Sequence, residues 1–128
     1  QQAYPSIVVD GYDPGNANHN QLPNRSFDAV VSADVFEHIE PNQLSATLKV
    51  ISDLMIVAGW FRIACYPAKK QLPDGRNAHL IVKSPDWWQD QLKTNINAKI
   101  VREDISVIDK SHKWPMVVGH NYDVILEK

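Results

Sequence analysis

Apolar residues fall in short blocks between polar stretches, and their spacing sorts the blocks into strands and helices. Ile7-Val8-Val9, followed by Gly11, Asp13-Pro14 and Gly15, predicts a short strand ending in a turn, since Asp-Pro and Gly interrupt regular structure. Residues 15–26 are polar and predict a loop. The run Phe27 to Ser32 predicts a buried strand that leads straight into a turn carrying Asp34, Glu37 and His38. Pro41 suits a first helical turn, where its missing N–H costs nothing. Leu44, Leu48, Ile51 and Met55 follow at spacings of 4, 3 and 4, one helical face, and Gly59 is expected to close that helix. Trp60 to Tyr66 predicts a second buried strand, and Lys69 to Asn77 a charged loop around Pro73-Asp74-Gly75. Ser84-Pro85 predicts the N-cap and first position of a helix carrying Trp87, Trp88 and Leu92. Two last strands are expected at Lys99 to Arg102 or beyond and at Tyr122 to Glu127, with a long connection through 111–115. The order is β, β, α, β, α, β, β: one α/β domain over residues 1–128.

Composition narrows the classes. A hydrophobic fraction of 44% and a charged fraction of 22% are those of an ordinary globular chain. A net charge of −2 provides no field toward nucleic acid or an anionic membrane, so neither is an expected partner. No apolar stretch is long enough to span a bilayer and no signal-peptide layout is present, so a cytoplasmic location is expected. The one cysteine, Cys65, lies in a predicted strand and reads as a small buried thiol.

The candidate chemistry gathers past the strand at Phe27. Open parallel sheets bind ligands beyond the carboxyl ends of their strands, so Asp34, Glu37 and His38 stand where a site is expected. Their i, i+3, i+4 spacing puts them on one face if the turn is helical, and His79 can join from the loop after the next strand. Asp34, Glu37, His38 and His79 then form a candidate set for Mg²⁺, Mn²⁺ or Zn²⁺. Without a metal, His38 or His79 is a candidate catalytic base. Asp13 ends the first predicted strand, where an acid can accept hydrogen bonds from ribose hydroxyls; equally, it suits a turn cap before Pro14. Lys69, Lys70 and Arg76 are candidates for a phosphate or carboxylate on a substrate. Trp87 and Trp88 are about 100° apart on their helix, so one packs while the other lines an acceptor pocket or an interface; Trp88 is taken as the acceptor candidate.

The stretch SFDAVVSADVFEHIEP resembles the fourth-strand motif of class I S-adenosylmethionine (SAM) dependent methyltransferases, versions of FDxVxSxDVxEHI. With YDPG, PAKKQLPDGRNAHLI and SPDWW it is similar to one bacterial and phage group within them. The resemblance implies a Rossmann-like fold closed by an antiparallel strand pair. It implies SAM as cofactor, with Asp13 on its ribose and Ser32, Ala33 and Asp34 beside it. The acid–His pattern also resembles the E-x-x-E-H plus distal His of metal-dependent small-RNA 3′-end methyltransferases, and the E-x-x-E-H of ubiquinone-biosynthesis O-methyltransferases, with Asp34 in place of the first Glu. The five glycines contain no G-x-G turn, so the family's first strand, glycine turn and first helix are expected upstream of Gln1. Only 13 residues separate Asp13 from Phe27, which leaves the third strand missing or reduced.

The leading expectation is a partial methyltransferase fold that transfers methyl to an oxygen or nitrogen of a small or phosphorylated acceptor, inactive or impaired as this fragment. The rival from another class is a non-catalytic binding module, with an open sheet edge that predicts a homodimer or another assembly. A metal-dependent hydrolase built on Asp34, Glu37, His38 and His79 is the third reading.

Overall fold

The computed structural model describes residues 6–109 and 118–128. Four strands form one sheet: β1 (Phe27–Ala33), β2 (Met55–Cys65), β3 (Lys99–Asp109) and β4 (Val118–Glu127), in the order β1-β2-β4-β3. Two helices join them, α1 (Leu44–Leu54) and α2 (Pro85–Asn95), with single 3₁₀ turns at Phe36–His38 and Pro41–Gln43.

β1 and β2 run parallel, with α1 in the crossover between them, so their carboxyl ends lie at the same end of the sheet. β4 is antiparallel to both β2 and β3, and this is the expected antiparallel closing pair. Side chains alternate across the pleat. Phe61 and Ile63 of β2 and Tyr122, Val124 and Leu126 of β4 therefore share one face and pack with Leu48 of α1 and with Trp88 and Leu92 of α2. Each such buried side chain stabilises the fold by about 1.5–3 kcal/mol. The opposite face carries Val31, 67% exposed, and the cross-strand ion pair Arg62–Asp123 at 2.9 Å.

Several sequence expectations are corrected. Ile7 to Val9 form no strand, and Ile7 is 85% exposed; nothing among the described residues pairs with them, and an unpaired apolar triplet has no ladder to hold it extended. Asp13 consequently does not end a strand. The first helix stops at Leu54, not at Gly59, and Met55 is buried as the first residue of β2. Gly59 lies inside β2, where a Cβ would meet Met55 Sδ at 2.7 Å and the Phe61 ring at 2.8 Å. That glycine marks close packing against the core, and its reading as a helix stop was wrong. Both closing strands are longer than expected, because they pair with each other from Lys99↔Glu127 to Asp109↔Val118. The segment 111–115 lies outside the described residues. The start of α2 is as expected: Ser84 Oγ accepts a hydrogen bond from the Trp87 N–H at 3.2 Å.

One carboxylate ties three elements together. Glu103 on β3 accepts from the buried Tyr122 hydroxyl of β4 at 2.5 Å and from the Gln89 amide of α2 at 2.6 Å. Those bonds hold its pKa below the ordinary glutamate value, Tyr122 contributing most. Because its folded pKa is depressed, its contribution to stability is present above the ordinary carboxylate value and is lost as pH falls through the lower folded one. Urea unfolding at pH 7 and at pH 3 should therefore show a smaller loss of midpoint on acidification for Glu103→Gln than for the parent chain. Gly59→Ala should cost about 1–3 kcal/mol through overpacking, read from the same unfolding curves at pH 7.

Candidate functional site

The parallel pairing continues one residue past β1, where the Asp34 N–H donates to the Arg62 carbonyl at 3.0 Å. There the backbone turns sharply. Asp34 has φ of 57°, the one left-handed non-glycine residue described; Asp tolerates this region better than most residues, and such conformations gather at functional sites. The turn then closes through the 3₁₀ segment, with His38 N–H donating to the Val35 carbonyl and Ile39 N–H to that of Phe36. Phe36 is driven into the core against Phe61, ring centroids 5.1 Å apart.

This geometry corrects the single helical face expected for Asp34, Glu37 and His38. The helical turn begins at Phe36, so Asp34 lies outside it and its side chain is exposed. Glu37 points inward and is fully buried, while His38 is exposed beside it. Among the described residues neither Glu37 carboxylate oxygen has a partner in full hydrogen-bond geometry. Burial is the main cause that pushes its pKa up to about 7; the nearby Asp34 charge adds to the rise, and the backbone of Glu37 and Ala64 moderates it. Keeping it ionised there costs on the order of 3 kcal/mol. Burial and the Glu37 charge also push the Cys65 thiol up to about 11, so it is un-ionised near neutral pH.

The loop after β2 folds back to bring His79 to this turn. Asn77 is its staple: its side-chain oxygen accepts from the N–H groups of Ala68 and His79, each at 2.9 Å, and its amide donates to the Ala68 carbonyl at 2.9 Å. The Ile81 N–H donates to the Glu37 carbonyl at 3.1 Å, joining loop and turn directly. His38 Nδ1 lies 2.9 Å from the Ala78 carbonyl, and His79 Nδ1 lies 2.5 Å from that of Tyr66. A carbonyl oxygen can only accept, so both Nδ1 atoms carry a proton, and in the neutral ring each Nε2 keeps a lone pair. The two rings meet edge to face at 4.7 Å. One donor atom each from Glu37, His38 and His79 lie within 4.8 Å of one another, and Asp34 is not in that group. The sequence grouped Asn77 with the acceptor-recognition loop, and its role as the staple of that loop emerges only from the fold, although an Asn in a Gly-Arg-Asn stretch two residues before a histidine is a turn-forming signal.

The remaining candidates lie as follows. Ser32 and Ala33 end β1 beside Asp34. Asp13 is exposed and accepts from the Gly15 N–H at 2.9 Å, a local turn cap. Lys69 and Lys70 are exposed on the loop. Arg76 is engaged: it donates twice to the Glu40 carboxylate, at 2.9 and 3.0 Å, and once to Asp74 at 2.8 Å. Trp88 is fully buried in the core, so it cannot face an acceptor; Trp87 is the half-buried partner, with Lys83 over its ring at 5.8 Å.

No protein-family model matches the chain, and no curated protein matches it either. Solved structures do. TehB from Haemophilus influenzae superposes with a TM-score of 0.54 at 14% identity, over 83% of this chain and 37% of that one. Magnesium protoporphyrin IX methyltransferase (ChlM) from Synechocystis PCC 6803, with bound SAH, superposes with a TM-score of 0.53 at 14% identity, over 88% of this chain and 53% of that one. The chain shares the fold of both structures over the superposed residues and spans little more than half the length of that methyltransferase, and less of TehB. No helix among the described residues is long and apolar enough to cross a membrane.

If Asn77 fixes the loop, Asn77→Ala should speed tryptic cleavage after Lys69, Lys70 and Arg76 by about tenfold, the loss of some 1–3 kcal/mol of local hydrogen bonding. Mass mapping of early fragments checks it.

Proposed function

We propose that this chain is part of a SAM-dependent methyltransferase, with the cofactor beside the turn Ser32-Ala33-Asp34 and methyl transfer to an oxygen or nitrogen of a small or phosphorylated acceptor. One observation carries the reading: the strained turn at Asp34 stands past the carboxyl end of a parallel strand, in a fold shared with a methyltransferase solved with SAH. The cofactor supplies an activated methyl group on a sulfonium, already a good leaving group. The protein's task is then mainly to position the acceptor. Asp34 is left to orient polar groups of the cofactor, and Lys69 and Lys70 remain open to an anionic acceptor. The divalent cation expected nearby is a separate question, since Glu37, His38 and His79 are not residues that the cofactor needs.

The second reading, a non-catalytic module, is favoured by Asp13. It caps its own turn and is not presented at a strand end. Among the described residues β1 also pairs on one side only, which leaves an edge for a second copy or another partner.

Calorimetric titration with S-adenosylhomocysteine separates the two readings. Micromolar binding weakened about tenfold by Asp34→Asn, a change that keeps the left-handed turn accessible, supports the enzyme. A folded chain that does not bind leaves the module, and sedimentation then reports whether it dimerises.

A further inference from the structure

We propose that Glu37, His38 and His79 bind one transition-metal dication. The proposal does not depend on the methyltransferase reading. Three observations meet at one point. First, donors from the turn at 37–38 and from His79 on the loop after β2, far apart in sequence, lie within 4.8 Å of one another. Second, the Glu37 side chain is fully buried, and among the described residues neither of its oxygens has a partner in full hydrogen-bond geometry. A buried carboxylate left unpaired costs several kcal/mol, and a cation is what would offset it. Third, both imidazoles are prepared as ligands. Each Nδ1–H is spent on a backbone carbonyl, Ala78 for His38 and Tyr66 for His79, which leaves the Nε2 lone pairs unused. A carbonyl on the far ring nitrogen is the usual outer partner of a metal-binding histidine, since it fixes tautomer and ring orientation.

The donor set selects the metal. Two imidazole nitrogens and one carboxylate oxygen suit Zn²⁺, Fe²⁺, Mn²⁺ or Co²⁺; Mg²⁺ prefers oxygen donors and gives up its waters reluctantly. Around a tetrahedral ion with bonds of about 2.1 Å, donors sit roughly 3.4 Å apart. With no donor pair farther apart than 4.8 Å, the cluster has to contract by at most about 1.4 Å, within the reach of side-chain torsions. His38 is exposed, so a further coordination position faces solvent and can take water or an oxygen ligand. A lone pair bound to metal cannot also accept a proton, so this role replaces that of catalytic base for both histidines.

The test is titration of the untagged, chelator-stripped chain with Co²⁺, whose visible absorption reports coordination. A band that saturates at one equivalent, survives about a hundredfold excess of Mg²⁺ and is displaced by Zn²⁺ is expected. Glu37→Gln, His38→Ala and His79→Ala should each weaken binding by at least about tenfold. His38→Ala guards against misfolding, since its site is exposed. Co²⁺ should also raise the Tm of the parent chain and not that of the variants. The absence of a saturable band on the folded chain overturns the proposal. So does a band that persists in all three variants, which would place the ion on His19, His112 or His120. Neither result bears on S-adenosylhomocysteine binding, which is read separately.

Discussion

The parallel pairing of β1 with β2 is the constraint on which the rest depends. It places the carboxyl ends of both strands at one end of the sheet, and the Asp34 N–H carries the ladder one bond past Ala33. Everything with chemical potential follows from the two chain reversals at that end. The turn 34–38 leaves β1, the loop from Tyr66 leaves β2, and they meet because the strands that launch them are hydrogen-bonded neighbours. An antiparallel pair would send those exits to opposite ends of the sheet.

Burial then sorts the turn. Phe36 belongs in the core by its hydrophobicity, and it takes the adjacent Glu37 inward with it. The result is a carboxylate held against its own preference, next to the un-ionised thiol of Cys65 and two imidazoles with fixed tautomers. A fold selected for stability alone has little reason to keep such a group, because an apolar residue of similar volume would avoid the desolvation cost. Asn77 adds to the impression of a prepared site, since three hydrogen bonds from one side chain hold the loop that delivers His79.

Much of the architecture was legible in the chain. The strand at Phe27, the helical face Leu44-Leu48-Ile51, the second strand at Trp60 and the Ser84-Pro85 helix start all stand close to where periodicity and capping chemistry put them. The misses share a cause. Ile7 to Val9 have strand composition, yet a strand exists only with a partner. Met55 fits a helical face and a strand end equally well, and pairing with Phe27 decided for the strand. Gly59 reads as a stop in one dimension and as a packing contact with Met55 and Phe61 in three. The i, i+3, i+4 rule failed for Asp34 because it presumes a helix already formed at residue 34.

The sequence by itself determined the α/β class, the end of the sheet where the ionisable residues of the turn gather and the residue types found there, because hydrophobic period and turn residues are local properties. Tertiary structure alone decided which of those residues come together. Glu37, His38 and His79 meet, Asp34 stays outside, Arg76 is held by Glu40 and Asp74, and Trp88 is core. Spacing along a chain sets which face a side chain occupies within its own element. What lies opposite that face depends on how separate elements pack, and no local pattern encodes it.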